Sequence, residues 1–68
     1  MDLELLKLIE EAIEDERNAA AKYRKGAELA EDPETRSFFE QLVGWEQGHE
    51  RILRDRLAAL KIIRGNDQ

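Results

Sequence analysis

The sequence predicts an all-α fold: an antiparallel two-helix hairpin that dimerises into a four-helix bundle. Three observations carry this. Apolar residues recur at steps of three and four along two long stretches, which is the helical period. One strong break, Asp32-Pro33-Glu34-Thr35, separates the stretches, and it is short enough to make the helices antiparallel neighbours. Two helices of this length cannot shield both apolar stripes from water, and a symmetric pair of hairpins is the usual remedy.

Helix one is expected over about residues 3–31, with Asp2 as its N-cap. Its seam runs Leu6, Ile9, Ile13, Glu16, Ala20, Tyr23, Ala27, Ala30, separated by Glu, Lys, Arg and Asn as a solvent face requires. Gly26 is a weak point, costing about 1 kcal/mol relative to alanine inside a helix. At the break, Pro33 disfavours a helical Asp32 but suits the first position of a new helix, with Asp32 as N-cap and Glu34 in the first turn.

Helix two is expected over about residues 33–64. Its seam is Phe39, Leu42, Glu46, His49, Leu53, Arg56, Leu60, Ile63. Phe38, Trp45, Ile52 and Ala59 widen the stripe on one flank, and Val43 and Leu57 on the other. Gly65, following the basic Arg64, reads as a C-terminal stop, with a frayed tail of Asn66-Asp67-Gln68. Gly44 and Gly48 lie on the outward face, either as a site of close approach by a neighbour or as drift on a solvated surface. No linker or low-complexity segment divides the chain, so residues 1–68 are expected to form a single domain.

Composition narrows the chemistry. A chain of 68 residues buries little of its surface and is marginal alone. Without cysteine there is no disulfide framework and no Cys-ligated zinc or iron–sulfur site. Any metal must be held by carboxylates and imidazole, which suit iron or manganese and accept zinc. The formal charge of −5 argues against nucleic acid and anionic membrane as partners. Apolar runs are too short to span a bilayer, and the default location is cytoplasmic.

The informative residues are the polar ones in the seams. Trp45-Glu46-Gln47-Gly48-His49 holds the only histidine and the only tryptophan. Glu46 and His49, three apart, share a helix face; they are either a metal-ligating pair or an ordinary wet ion pair. Their level in the hairpin favours the former. For a turn near residue 32, level residues have numbers adding to about 64; Glu16 with Glu46 gives 62 and with His49 gives 65. All three therefore sit at one height facing inward, where buried charge demands a partner or a metal. A phase error in helix one would exchange Glu16 for Glu14 or Asp15. Arg56, one heptad beyond His49, either pairs with a carboxylate such as Glu10 or snorkels to the bundle edge.

Glu16-x6-Tyr23, the Asp32-Pro33-Glu34 turn and Glu46-x-x-His49 together resemble the ferritin-like/rubrerythrin superfamily. The intervals of 30 and 33 from Glu16 to Glu46 and His49 are similar to its encapsulated-ferritin, half-ferritin branch, where dimerisation completes the site. The resemblance covers about residues 3–60. It implies Glu16, Glu46 and His49 as metal ligands and catalytic residues, and iron as the metal, two ions per homodimer. Manganese or zinc would be substitutes. Tyr23 matches the family's tyrosine behind the ligands, as core packing or as a hydrogen-bond donor. Trp45 flanks the site as packing or interface. The implied activity is ferroxidase: Fe(II) is oxidised to Fe(III) for storage or detoxification. Other readings are a metal-free helical dimerisation module, an iron-delivery protein without turnover, and a peroxide-handling rubrerythrin-like protein.

The chain departs from these relatives in three ways. The iron–sulfur domain of a full rubrerythrin is absent, and Ala19 stands where rubrerythrin has an extra glutamate. Encapsulated ferritins add a C-terminal peptide that docks in an encapsulin shell. No such peptide is seen before Gln68, so an encapsulin partner and a place inside a protein nanocompartment are left open rather than inferred. A higher oligomer of dimers is compatible with the same residues.

Overall fold

The structure, a computed structural model, describes residues 3–66. Helix α1 spans Leu3–Leu29 and helix α2 spans Pro33–Asn66, and the two pack as an antiparallel hairpin. No strand occurs among the described residues, and neither helix is long and apolar enough to cross a membrane. The cap expected at Asp2 and the fraying expected at Asp67-Gln68 lie outside the described residues.

The turn is built as its residues dictate. The Thr35 N–H donates to the Asp32 carboxylate at 2.8 Å, satisfying an N-terminal donor of α2. The Arg36 N–H donates to the Asp32 carbonyl at 3.1 Å, the first helical bond. The Asp32 carboxyl is held below its ordinary range, first by the Thr35 backbone bond. On the other side, the Ala30 N–H donates to the Gly26 carbonyl at 3.0 Å, and the Arg36 guanidinium reaches the Ala30 carbonyl at 3.4 Å. A cation therefore caps the negative end of α1. Helix α1 stops at Leu29 rather than near residue 31, because three residues must leave helical geometry to reverse the chain before Pro33. At the far end Gly65 does not terminate α2. It keeps a negative φ, and the helix continues to Asn66, so no left-handed cap forms at Gly65.

The hairpin is one layer thick, with Cα extents of 55 × 15 × 10 Å. Among the described residues only Leu6, Ile13 and Ala20 are buried, one per heptad along α1. The rest of the expected α1 seam, Ile9, Glu16, Tyr23, Ala27 and Ala30, is half-buried. On α2 the side facing α1 is turned slightly from the expected seam. Phe39, Leu42, Glu46, Leu53 and Leu60 are half-buried as expected, together with Val43, Glu50, Leu57 and Arg64. His49, Arg56 and Ile63 are exposed instead. The physical reason is that the α2 stripe is wider than one helix covers. Its other edge, Phe38, Trp45 and Ile52, is left more than half exposed at 54, 56 and 67%.

Near the turn, Phe39 is the anchor. Its ring lies 6.4 Å from that of Tyr23 and 5.3 Å edge-on from that of Phe38. Gly26 is what admits it: a Cβ there would stand 2.6 Å from two Phe39 ring carbons. The weak point in α1 is thus a close-approach site. A Cβ at Gly44 or Gly48 would meet nothing within 4 Å, and both glycines face outward.

Candidate metal centre

Halfway along the hairpin, α1 contributes Glu16 and α2 contributes Glu46 and His49. One ligand atom from each lies within 4.8 Å of the others. The heptad placement explains this. Glu16 occupies the seam position between Ile13 and Ala20, and Glu46 the position between Phe39 and Leu53, so each carboxylate is drawn inward by the apolar residues around it. His49, one turn after Glu46, stands at the rim. Its imidazole Nδ1 lies 3.4 Å from Glu16 Oε2 and 3.8 Å from a Glu46 carboxylate oxygen. The Glu16 and Glu46 side chains are 24% and 19% exposed, while His49 is 57% exposed.

The electrostatics are unfinished. Glu16 Oε2 is buried and has no hydrogen-bond partner; the His49 approach lacks hydrogen-bond geometry. The Glu46 carboxyl is pushed above its ordinary range. The largest cause is the facing Glu16 carboxyl, which can share a hydrogen bond with Glu46 only when one of the two carries a proton; desolvation and the Glu16 charge add to it, and His49 opposes it. Two acceptor-only carboxylates facing each other with an imidazole alongside is an arrangement that a divalent cation relieves. It would neutralise the repulsion and give the orphaned oxygen a partner. The donor set, two carboxylates and one imidazole, fits iron, manganese or zinc and leaves coordination positions open.

The structure therefore brings Glu16, Glu46 and His49 together. It places Glu14 and Asp15 on exposed faces of α1, away from the cluster. Tyr23 is half-buried against Phe39, and its hydroxyl makes no hydrogen bond among the described residues, so packing is the contact it shows. Trp45 flanks the cluster with its indole exposed. Arg56 does not pair with Glu10. The Glu10 carboxylate lies 4.0 Å from Lys61, and Arg56 is exposed on the same side as Trp45 and His49. The residue that sequence reasoning undervalued is Gly26; the signal was its place level with Phe39 by the same count outward from the turn, where a side chain would have to yield.

A helical hairpin that presents one carboxylate from one helix and Glu-x-x-His from the other has the ligand pattern of one half of a carboxylate–histidine metal bundle. The family model of the ferritin-like domain matches residues 2–63, and the chain belongs to that family. No curated protein and no solved structure matches the chain.

Proposed function

We propose that this protein is a ferroxidase of the half-ferritin type, whose site is completed by a second copy of the chain. Two hairpins would supply four carboxylates and two imidazoles, the ligand set of the di-metal carboxylate bundles. Fe(II) is the substrate. Glu16, Glu46 and His49 of each chain bind it, the carboxylates balance its charge, and dioxygen accepts the electrons as Fe(III) forms for storage or detoxification. Tyr23 packs behind the ligands and Trp45 shields their rim. Manganese or zinc would occupy the same donors without turnover.

The observation that carries this reading is the convergence of three ligand atoms within 4.8 Å around a buried oxygen with no partner. Membership of the ferritin-like family supports iron as the metal. The test is anaerobic titration with Fe(II) followed by air. About two irons should bind per dimer, with Fe(III) absorbance in the near ultraviolet appearing after oxygen is admitted. Glu46→Ala and His49→Ala should abolish binding, and Glu14→Ala should not. Binding without oxidation would point to delivery, and no binding would leave a metal-free dimerisation module.

A further inference from the structure

We infer that the open face receives a second copy of this chain in one antiparallel register, about a two-fold axis passing level with Glu16 on α1 and residue 47 on α2. In this register Arg56 of each copy lies on Phe38 of the other. The inference rests on the reading that a second copy completes the site, and it specifies how that copy docks.

Three independent features of the hairpin lead there. The first is the amount of uncovered surface. The chain exposes 5330 Å². A compact monomer of its 7.9 kDa mass should expose only about 4,400 Å². The excess, about 900 Å² per chain, is the area that each partner buries in a standard-size stable interface. Part of the exposed surface is a continuous apolar edge of α2, where Phe38, Trp45, Ile52 and Ile63 are all about half exposed or more.

The second feature is the order of residues along that edge. Phe38, Leu42, Trp45, His49, Ile52 and Arg56 follow at alternating steps of four and three. Antiparallel packing about residue 47 sets Leu42 against Ile52, Trp45 against His49, and Phe38 against Arg56 of the other copy. The aliphatic pair meets in one layer, the indole closes the exposed side of the imidazole, and the guanidinium gains an aromatic face. Within its own hairpin Arg56 has no hydrogen-bond or ion-pair partner among the described residues. A charge in the middle of an apolar edge is thereby explained.

The third feature is that α1 gives the same axis. Just short of the level of Glu16, Ala12 comes opposite Ala19 of the other copy. Small residues meet beside the axis, so the two α1 helices can approach closely there. The axes found separately on α1 and α2 stand at one height, since Glu16 already touches Glu46 and His49 within the hairpin. A parallel or shifted pairing would lose the layers on both helices at once.

Disulfide trapping tests the register, because the chain has no cysteine of its own. The double variant Leu42→Cys/Ile52→Cys should be trapped as a covalent dimer under mild oxidation, while Leu42→Cys and Ile52→Cys alone should not. Circular dichroism establishes that each variant is helical. Sedimentation of Phe38→Ala, Arg56→Ala and their combination provides a second measurement that needs no cysteine. The combined variant should weaken the dimer no more than the worse single one. Single-cysteine variants that trap as completely as the double, a dimer in which no variant traps, or additive losses in the Phe38/Arg56 cycle would each overturn the register. Iron binding by the untouched protein separates the two claims. Two irons per dimer with the wrong trapping pattern sinks the register alone, and correct trapping without iron sinks the ferroxidase reading alone.

Discussion

Replacing each of three glycines by alanine divides two effects that usually travel together. In a helix interior alanine is favoured over glycine by about 1 kcal/mol. At Gly44 and Gly48 nothing stands within 4 Å of the new methyl, so Gly44→Ala and Gly48→Ala should each gain that amount. At Gly26 the methyl would meet Phe39 ring carbons at 2.6, 2.6 and 2.8 Å. Carbon atoms prefer about 3.5–4.0 Å, so the ring must retreat by about 1 Å. It is not free to do so cheaply, being set between Tyr23 and Phe38. Overpacking of this kind costs about 1–3 kcal/mol, which cancels or exceeds the propensity gain. Gly26→Ala is therefore expected to be neutral or destabilising by up to about 2 kcal/mol, and to fall about 1–3 kcal/mol below Gly44→Ala. Urea unfolding followed by circular dichroism measures this directly. Each kcal/mol moves the midpoint by roughly 0.5–1 M for a chain with a small denaturant slope. All variants must be compared metal-free at one protein concentration, because assembly shifts apparent stability. With Phe39→Leu in the background, Gly26→Ala should become stabilising. If Gly26→Ala raises the midpoint as much as Gly44→Ala does in the native background, the close approach of Phe39 is not what requires glycine.

The two displaced carboxyls make opposite predictions about pH. Asp32 has a lowered pKa in the fold, so its contribution is complete above the unfolded carboxylate range and lost as pH falls through the lowered value. Asp32→Asn keeps an acceptor for Thr35 and should flatten that acid limb in melting temperatures taken across the acid range up to neutrality, whereas Asp32→Ala should lower the melting temperature throughout. Glu46 has a raised pKa, so the metal-free fold binds its proton more tightly than the unfolded chain does, and stability falls as pH rises through that window. Glu46→Gln removes the penalty. It should raise the melting temperature of the metal-free protein at neutral pH while eliminating the gain that the proposed Fe(II) binding would give the native chain under anaerobic conditions.

Much of the fold could be read from local chemistry. Pro33 with Asp32 before it allows one kind of turn, and steps of three and four on both sides allow one kind of element. The height match of Glu16 with Glu46 and His49 followed from counting outward from that turn, since both helices rise equally per residue. What could not be read has a common cause. The apolar stripe of α2 is broad enough to be met by α1 at more than one rotation, and a sequence stripe does not say which edge a neighbour takes. That is why Val43 and Glu50 turned inward while His49 and Arg56 turned out. The partner of Glu10 was missed for a related reason: Lys61, not Arg56, is the basic residue of α2 that approaches it, and side-chain direction is not legible from spacing alone. Gly65 looked like a stop because glycine permits a left-handed turn, but permission does not compel one. Gly26 looked like a cost because the ring that needs its missing side chain is 13 residues away in sequence.

A molecule one helix thick has two broad sides and almost no interior. Three buried side chains among the 64 described residues are a meagre unimolecular driving force for ordering them. The apolar edge from Phe38 to Ile63 therefore belongs to the folding reaction as much as to any assembly that follows it. Whatever covers that edge contributes directly to the free energy of the folded chain, and the melting temperature should rise with protein concentration. For the function proposed above this has a useful side: a chain too dilute to find cover would also present only three donors to a metal, so the capacity to hold the ion and the capacity to stay folded would be gained and lost together.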